Sequence, residues 1–160
     1  MSVKIRVATA DDMAFIVNAW LETYWSSDVG RSLNRIGREP AMRQYLPLIE
    51  WGQEHPSLYY GLQRKLCVGL LARCGALVAC DPEGDGLYGF ICADESAETP
   101  VLHYVCVKPH MHGHGVAKRL LMEAGFKKGD GGSYTHRTDD FLNNVIDCDG
   151  WVYRPELASV

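Results

Sequence analysis

At 160 residues, 47% apolar and 22% charged, the chain is long enough for one domain with a core of its own and too apolar for a disordered segment. A formal charge of -4 supplies no field for sequence-independent nucleic-acid binding and argues against nucleic acid as a partner. There is no apolar leader at the amino terminus and no run near the roughly 20 apolar residues of a membrane span, so no membrane role and a cytoplasmic setting are expected.

Val3, Ile5 and Val7 alternate with Lys4, Arg6 and Ala8, which predicts an opening half-buried strand. Thr9 stands where a helix N-cap belongs, with Asp11 and Asp12 in the first turn, favourable against the helix dipole. Met13, Ile16, Val17, Trp20, Leu21 and Tyr24 then give the core-facing stripe of a helix. From Ser26 to Pro40 the pattern dissolves into a polar, glycine-containing loop carrying Arg31, Arg35 and Arg38. A short helix is expected from Pro40, disturbed near Pro47.

His55-Pro56-Ser57 reads as a break with Ser57 as the next cap, and Leu58 to Cys74 as a long helix with Leu62, Leu66 and Leu70 on its apolar face. Ala76 to Asp81 and Leu87 to Asp94 are short apolar runs joined by Pro82-Glu83-Gly84-Asp85-Gly86, the signal of an antiparallel hairpin. Val101 to Val107 is apolar on both faces and should be the neighbouring, central strand. Strict alternation puts Val101, His103, Val105 and Val107 on one face and Leu102, Tyr104 and Cys106 on the other.

After Pro109 the chain crosses a loop with glycines at 113 and 115. It then takes helical period, with Val116, Leu120, Leu121 and Ala124 on one side and Gly125 able to end the helix. This is strand, turn, helix, and a helix start offers unpaired N-H groups and the positive end of the macrodipole to phosphate oxygens. Ser133 to Arg137 is expected as a further strand, Thr138 as the cap of a short helix over Asp139 to Ile146, and Trp151-Val152-Tyr153 as a last strand.

Six cysteines, at 67, 74, 80, 92, 106 and 148, include no C-x-x-C, and four lie within apolar segments, which points to buried thiols rather than disulfides or metal. His110, His112 and His114 have the look of metal ligands, but Gly113 interrupts them at a strand-to-helix turn and no acidic or cysteine partner adjoins. No metal is therefore expected.

His110-Met111-His112-Gly113-His114-Gly115 resembles the Q/R-x-x-G-x-G/A signature of the GNAT superfamily of N-acetyltransferases, with His110 in place of the usual Arg or Gln. The opening I-R-x-A-T-x-x-D is also similar to the start of many members. The resemblance implies a single α/β domain over residues 1-160, with a mixed, mostly antiparallel twisted sheet and helices on both faces. It also implies acetyl-CoA as co-substrate and transfer of its acetyl group to a primary amine of a small molecule or a protein. In that family the strand before the turn pairs its backbone with the pantetheine arm, which assigns Val105, Cys106 and Val107 here. The turn holds the pyrophosphate, which assigns His110, His112, Gly113, His114, Gly115 and Val116.

Members often place a glutamate base four residues before the position of Val107, so His103 becomes the candidate general base. The tyrosine that protonates the leaving thiolate in many members has no equivalent: Ile146 falls at its position and Asp139 where an asparagine is common, leaving Tyr134, Tyr153 or water. That gap keeps a second reading open, a non-catalytic CoA-binding regulatory or interaction protein. The identity of the acceptor and the oligomeric state, a homodimer included, stay open.

Overall fold

The computed structural model describes residues 2-28, 55-136 and 150-159. The predicted loop and helix between Ser26 and Pro47 therefore fall almost wholly outside the described residues, as do the expected helix over Asp139 to Ile146 and Cys148.

Among the described residues six strands form one sheet in chain order: β1 (Lys4–Val7), β2 (Leu77–Cys80), β3 (Leu87–Asp94), β4 (Val101–Val107), β5 (Gly132–Tyr134) and β6 (Trp151–Tyr153). The first four are antiparallel to one another in sequence, while β5 runs parallel to β4 and β6 parallel to β5. The fold is thus α/β with a mixed sheet, and helices cover both faces. On one face α1 (Met13–Asp28) and α2 (Pro56–Cys74) bury Ile16, Val17, Trp20, Cys67 and Leu70 against Val78, Phe90, Cys92 and Tyr104. On the other, α3 (Val116–Glu123) sets Val116, Leu120 and Ala124 on Ala79, Ile91, Ala93 and Leu102.

The local chemistry explains the elements. The carboxylate of Asp12 accepts from the backbone N-H and hydroxyl of Thr9 and from both terminal nitrogens of Arg6, at 2.6 and 3.0 Å, so one buried acid closes the 3-10 turn Ala10–Asp12 that leads into α1 and ties it to β1. Asp81 accepts the N-H groups of Gly84, Asp85 and Gly86 and closes the predicted hairpin. At the end of α3, Gly125 is left-handed (φ +83°) and the Phe126 N-H reaches back to the Leu121 carbonyl, a C-cap that seats Phe126 in the core.

Three expectations are corrected. Helix α2 starts at Pro56, the residue that fits a first helical position, with His55 rather than Ser57 at the cap. Its buried side chains are Cys67, Leu70 and Leu71, whereas Leu62 is exposed, because the helix turns the 67/70/71 stripe onto the sheet. Strand β5 is short, Gly132–Tyr134, and does not continue to Arg137 as a described strand.

Candidate active site

The site is built where β4 leaves its parallel neighbour. Cys92 pairs with Tyr104 and Ala93 with Leu102, so His103 is an extra residue, a β-bulge. The bulge resets the alternation: Leu102, Val105 and Val107 face α3, and Tyr104 and Cys106 face α1 and α2. The expectation that Leu102 shares a face with Tyr104 and Cys106 is overturned for this reason.

On its other edge β4 pairs with β5 only at Val101 and Leu102, and the last backbone bond runs from the Thr135 N-H to the Leu102 carbonyl, 3.0 Å. Beyond it no described residue pairs with that edge of β4, which leaves a gap in the ladder. The Lys108 N-H donates to the Tyr88 carbonyl on β3, so by the two-residue period of a strand the backbone groups of Val105 and Val107 point away from β3, into the gap. The backbone of Cys106 points toward β3 instead. Its thiol lies 3.9 Å from the Thr23 hydroxyl, which in turn is 2.9 Å from the Tyr104 hydroxyl.

The chain then makes a short 3-10 turn, Pro109–Met111, which buries Met111 and leaves His110 exposed with its ring edge-on to Tyr88. Gly113 and Gly115 have φ of +79° and +74°, the left-handed region that favours glycine, and a Cβ at either would meet nothing within 4 Å. The backbone there is open to a ligand. Gly115 caps α3 and its carbonyl accepts the Arg119 N-H, which leaves the amides of Val116, Ala117 and Lys118 as the free donors of the first turn. His112 bonds through Nε2 to the Val107 carbonyl, 2.8 Å, and His114 through Nδ1 to the His112 carbonyl, 3.0 Å. The histidine run thus ties the turn to the end of β4, and no grouping with metal-ligand geometry occurs among the described residues.

His103 lies deep in the sheet, 1% exposed. Its Nδ1 is 3.0 Å from the Thr135 hydroxyl, which is also 2.8 Å from Nδ1 of His136. His103 Nε2 is buried with no hydrogen-bond partner among the described residues. Burial pushes the His103 imidazole down to about 4, helped by the positive charge of Arg73 and opposed by Asp94. Burial likewise brings His136 down to about 4. The rings of Tyr24, Trp20 and Tyr104 stand 5.1, 5.4 and 6.0 Å from His136, with Trp20 stacked on Tyr104 at 4.7 Å.

Thr135 and His136 were not legible as site residues in S-Y-T-H-R. Their role depends on the strand ending at Tyr134, a tertiary fact that local pattern does not encode. Of the tyrosines considered for the leaving group, Tyr134 is buried on the α3 side and Tyr153 is partly exposed beside it, ring centroids 5.3 Å apart. Ile146 and Asp139 lie outside the described residues.

No protein-family model matches the chain, and no curated protein matches it. Solved structures do. One is the PaiA N-acetyltransferase of Thermoplasma acidophilum in complex with coenzyme A, 21% identical over 78% of this chain and 70% of that one, TM-score 0.44. Another, described as a histone acetyltransferase HPA2 and related acetyltransferase from Corynebacterium glutamicum, is 20% identical over 81% and 74%, TM-score 0.48. A third is YncA of Salmonella typhimurium, a putative acetyltransferase with its cofactor acetyl-CoA, 17% identical over 78% of this chain and 61% of that one, TM-score 0.39.

Proposed function

We propose that the chain is a GNAT-type N-acyltransferase that moves the acetyl group of acetyl-CoA to a primary amine of a small molecule or a protein. The observation that carries this is the gap beyond Leu102 and Tyr134: it exposes the edge of β4 at Val105 and Val107 and leads directly into a glycine turn with open space around it and free amides at the start of α3. A pantetheine arm is a chain of amides that can lie in such a gap as a substitute strand, and a pyrophosphate is the anion such a helix start accepts. Val105 offers both its backbone groups and Val107 its N-H; the Val107 carbonyl is taken by His112.

In the reaction the amine nitrogen attacks the thioester carbonyl carbon, a C-N bond forms, the C-S bond breaks, and CoA leaves as thiolate. The N-H of Val105 on β4 is the donor we assign to the oxyanion, a stabilisation that typically removes about 2.7-4 kcal/mol of barrier. The nitrogen must also lose a proton, and His103 is the acceptor we assign, directly or through water. An imidazole with a value near 4 is neutral at pH 7 and has its lone pair available, but it is a weak base, so its contribution belongs at the lower end of the usual range.

That weakness, together with the absence of a thiolate acid at Ile146, is what favours the second reading, a CoA-binding protein without turnover. Turnover measured against a panel of primary amines separates the two. Acetyl-CoA binding with no acetylated product from any amine favours the second; no binding at all removes both.

A further inference from the structure

Resting on the acyl-transfer reading, we infer that Thr135 and His136 are positioning residues for His103: they hold its imidazole in the Nδ1-H tautomer and so reserve Nε2 as the proton-accepting atom. The Thr135 hydroxyl lies within hydrogen-bond distance of Nδ1 of both histidines, 3.0 and 2.8 Å. This buried hydroxyl has one hydrogen and no other acceptor for it among the described residues, so it donates to one Nδ1 and accepts from the other. Two neutral imidazoles joined through it must therefore be opposite tautomers.

Which ring is which follows from the remaining nitrogens. Nε2 of His103 is buried with no partner among the described residues, whereas Nε2 of His136 is not among the buried atoms left unpaired, so the ring that carries its hydrogen on Nε2 is His136. His136 Nδ1 then accepts the threonine hydrogen, and the hydroxyl oxygen accepts from His103 Nδ1-H. This leaves a lone pair on His103 Nε2, the atom with no partner among the described residues. The reverse order would bury an N-H there without an acceptor, and an orphaned buried N-H is rarer in folded proteins than an unpaired acceptor.

The position of this unit gives it a consequence. Thr135 supplies the last backbone bond between β4 and β5, and its side chain begins the side-chain link that continues across the two strands where the ladder stops. All three residues are buried, at 1%, 4% and 7% exposure, and Trp20, Tyr24 and Tyr104 wall in the outer ring. Neither imidazole is free to turn. A base fixed in this way presents the correct nitrogen without reorganising during the reaction.

The experiment is ¹⁵N-histidine NMR on the full chain at pH 7, with kinetics alongside. His103 should be the Nδ1-H tautomer and His136 the Nε2-H tautomer. Finding both rings in one tautomer, or the hydrogen of His103 on Nε2, overturns the inference whether or not any amine is acetylated. Thr135→Val keeps the shape and removes the hydroxyl, and should mix the His103 tautomers and lower kcat about tenfold or more with the KM for acetyl-CoA little changed; Thr135→Ser should restore both. Tautomers that shift in Thr135→Val with kcat unchanged overturn the positioning role. A wild-type chain with the expected tautomers and no turnover removes the acyl-transfer reading alone.

Discussion

The turn after β4 and the apex of the gap each gather histidines, and the two groups do opposite things. His110, His112 and His114 are exposed on a glycine-rich loop, and two of them bond backbone carbonyls. His103 and His136 are sealed in the sheet, share one hydroxyl, and have lost most of their basicity to burial. What separates them is the backbone around them. In the turn the free amides and left-handed glycines are the proposed binding surface, steadied by the side chains; at the apex the backbone ladder has stopped, and side chains must carry the connection.

The sharpest way to break this contrast is to put a charge on the turn. Gly113→Asp or Gly115→Asp should fold, since Asp is one of the few L residues that tolerate the left-handed region and a Cβ meets nothing there. A carboxylate about 4 Å from the phosphates costs roughly 4 kcal/mol at an effective dielectric near 20, close to a thousandfold in affinity. Calorimetry on the folded variants should show acetyl-CoA binding lost. Unchanged affinity in both would remove the turn from the binding site.

Next in size is the response of the apex to acid. An imidazole that is near 6.5 in the unfolded chain and about 4 in the folded one binds its proton in the unfolded state first, so stability falls as pH drops from 6.5 toward 4. The limiting loss is roughly 3 kcal/mol for each ring treated alone. Asp12, held down to about 2 chiefly by its bonds from Arg6, acts in a separate window, its contribution lost as pH falls from 3.8 toward 2. Denaturant titrations at pH 7, 5.5 and 4 should therefore show the wild-type midpoint falling, and His136→Gln should flatten that fall. An equal slope in the variant would mean that the buried rings do not govern the acid response.

How much of this could be read from the residues alone follows the same division. The stripe of α1, the hairpin closed by Asp81, strand β4 and the amphipathic α3 were all legible, because each is set by local periodicity and turn chemistry. The bulge at His103 was not: β4 is apolar on both faces, so an added residue leaves no break in the hydrophobic pattern, and the faces of Leu102 and Tyr104 were read as one. Nor did the Leu62-Leu66-Leu70 row of α2 show that Cys67 and Leu71 would be the buried neighbours of Leu70. Thr135 and His136 meet His103 only through a strand 32 positions away, as the His103 to Thr135 bond shows.

A smaller effect is expected from His103 itself. His103→Gln keeps the size of the ring and a hydrogen bond to Thr135 but cannot take up a proton near neutral pH. Since the parent imidazole is a weak acceptor, turnover should fall by about 10², the low end for removal of a base, with acetyl-CoA affinity little changed. The parent's kcat/KM should show no acidic limb near 6.5 from this residue, its own limb lying near 4. A Gln variant that turns over like the parent makes the histidine structural.

The smallest predicted change tests whether the turn's side chains only steady its backbone. His112 reaches from the turn to the Val107 carbonyl, 2.8 Å, and thereby fixes the distance between the β4 edge and the amides of α3. Removing an exposed hydrogen bond of this kind is worth a modest factor, so His112→Ala should weaken acetyl-CoA binding about two- to tenfold through the added mobility of the turn. The competing possibility has the opposite sign. The Val107 carbonyl lies on the strand edge proposed for pantetheine, and an imidazole that occupies it in the free protein must give way if the ligand pairs with that carbonyl as well as with Val105. In that case His112→Ala binds more tightly, and His112→Phe, which fills the space without a donor, stays weak. Affinities of the two variants side by side decide whether the histidine is a strut of the binding turn or an occupant that the ligand displaces.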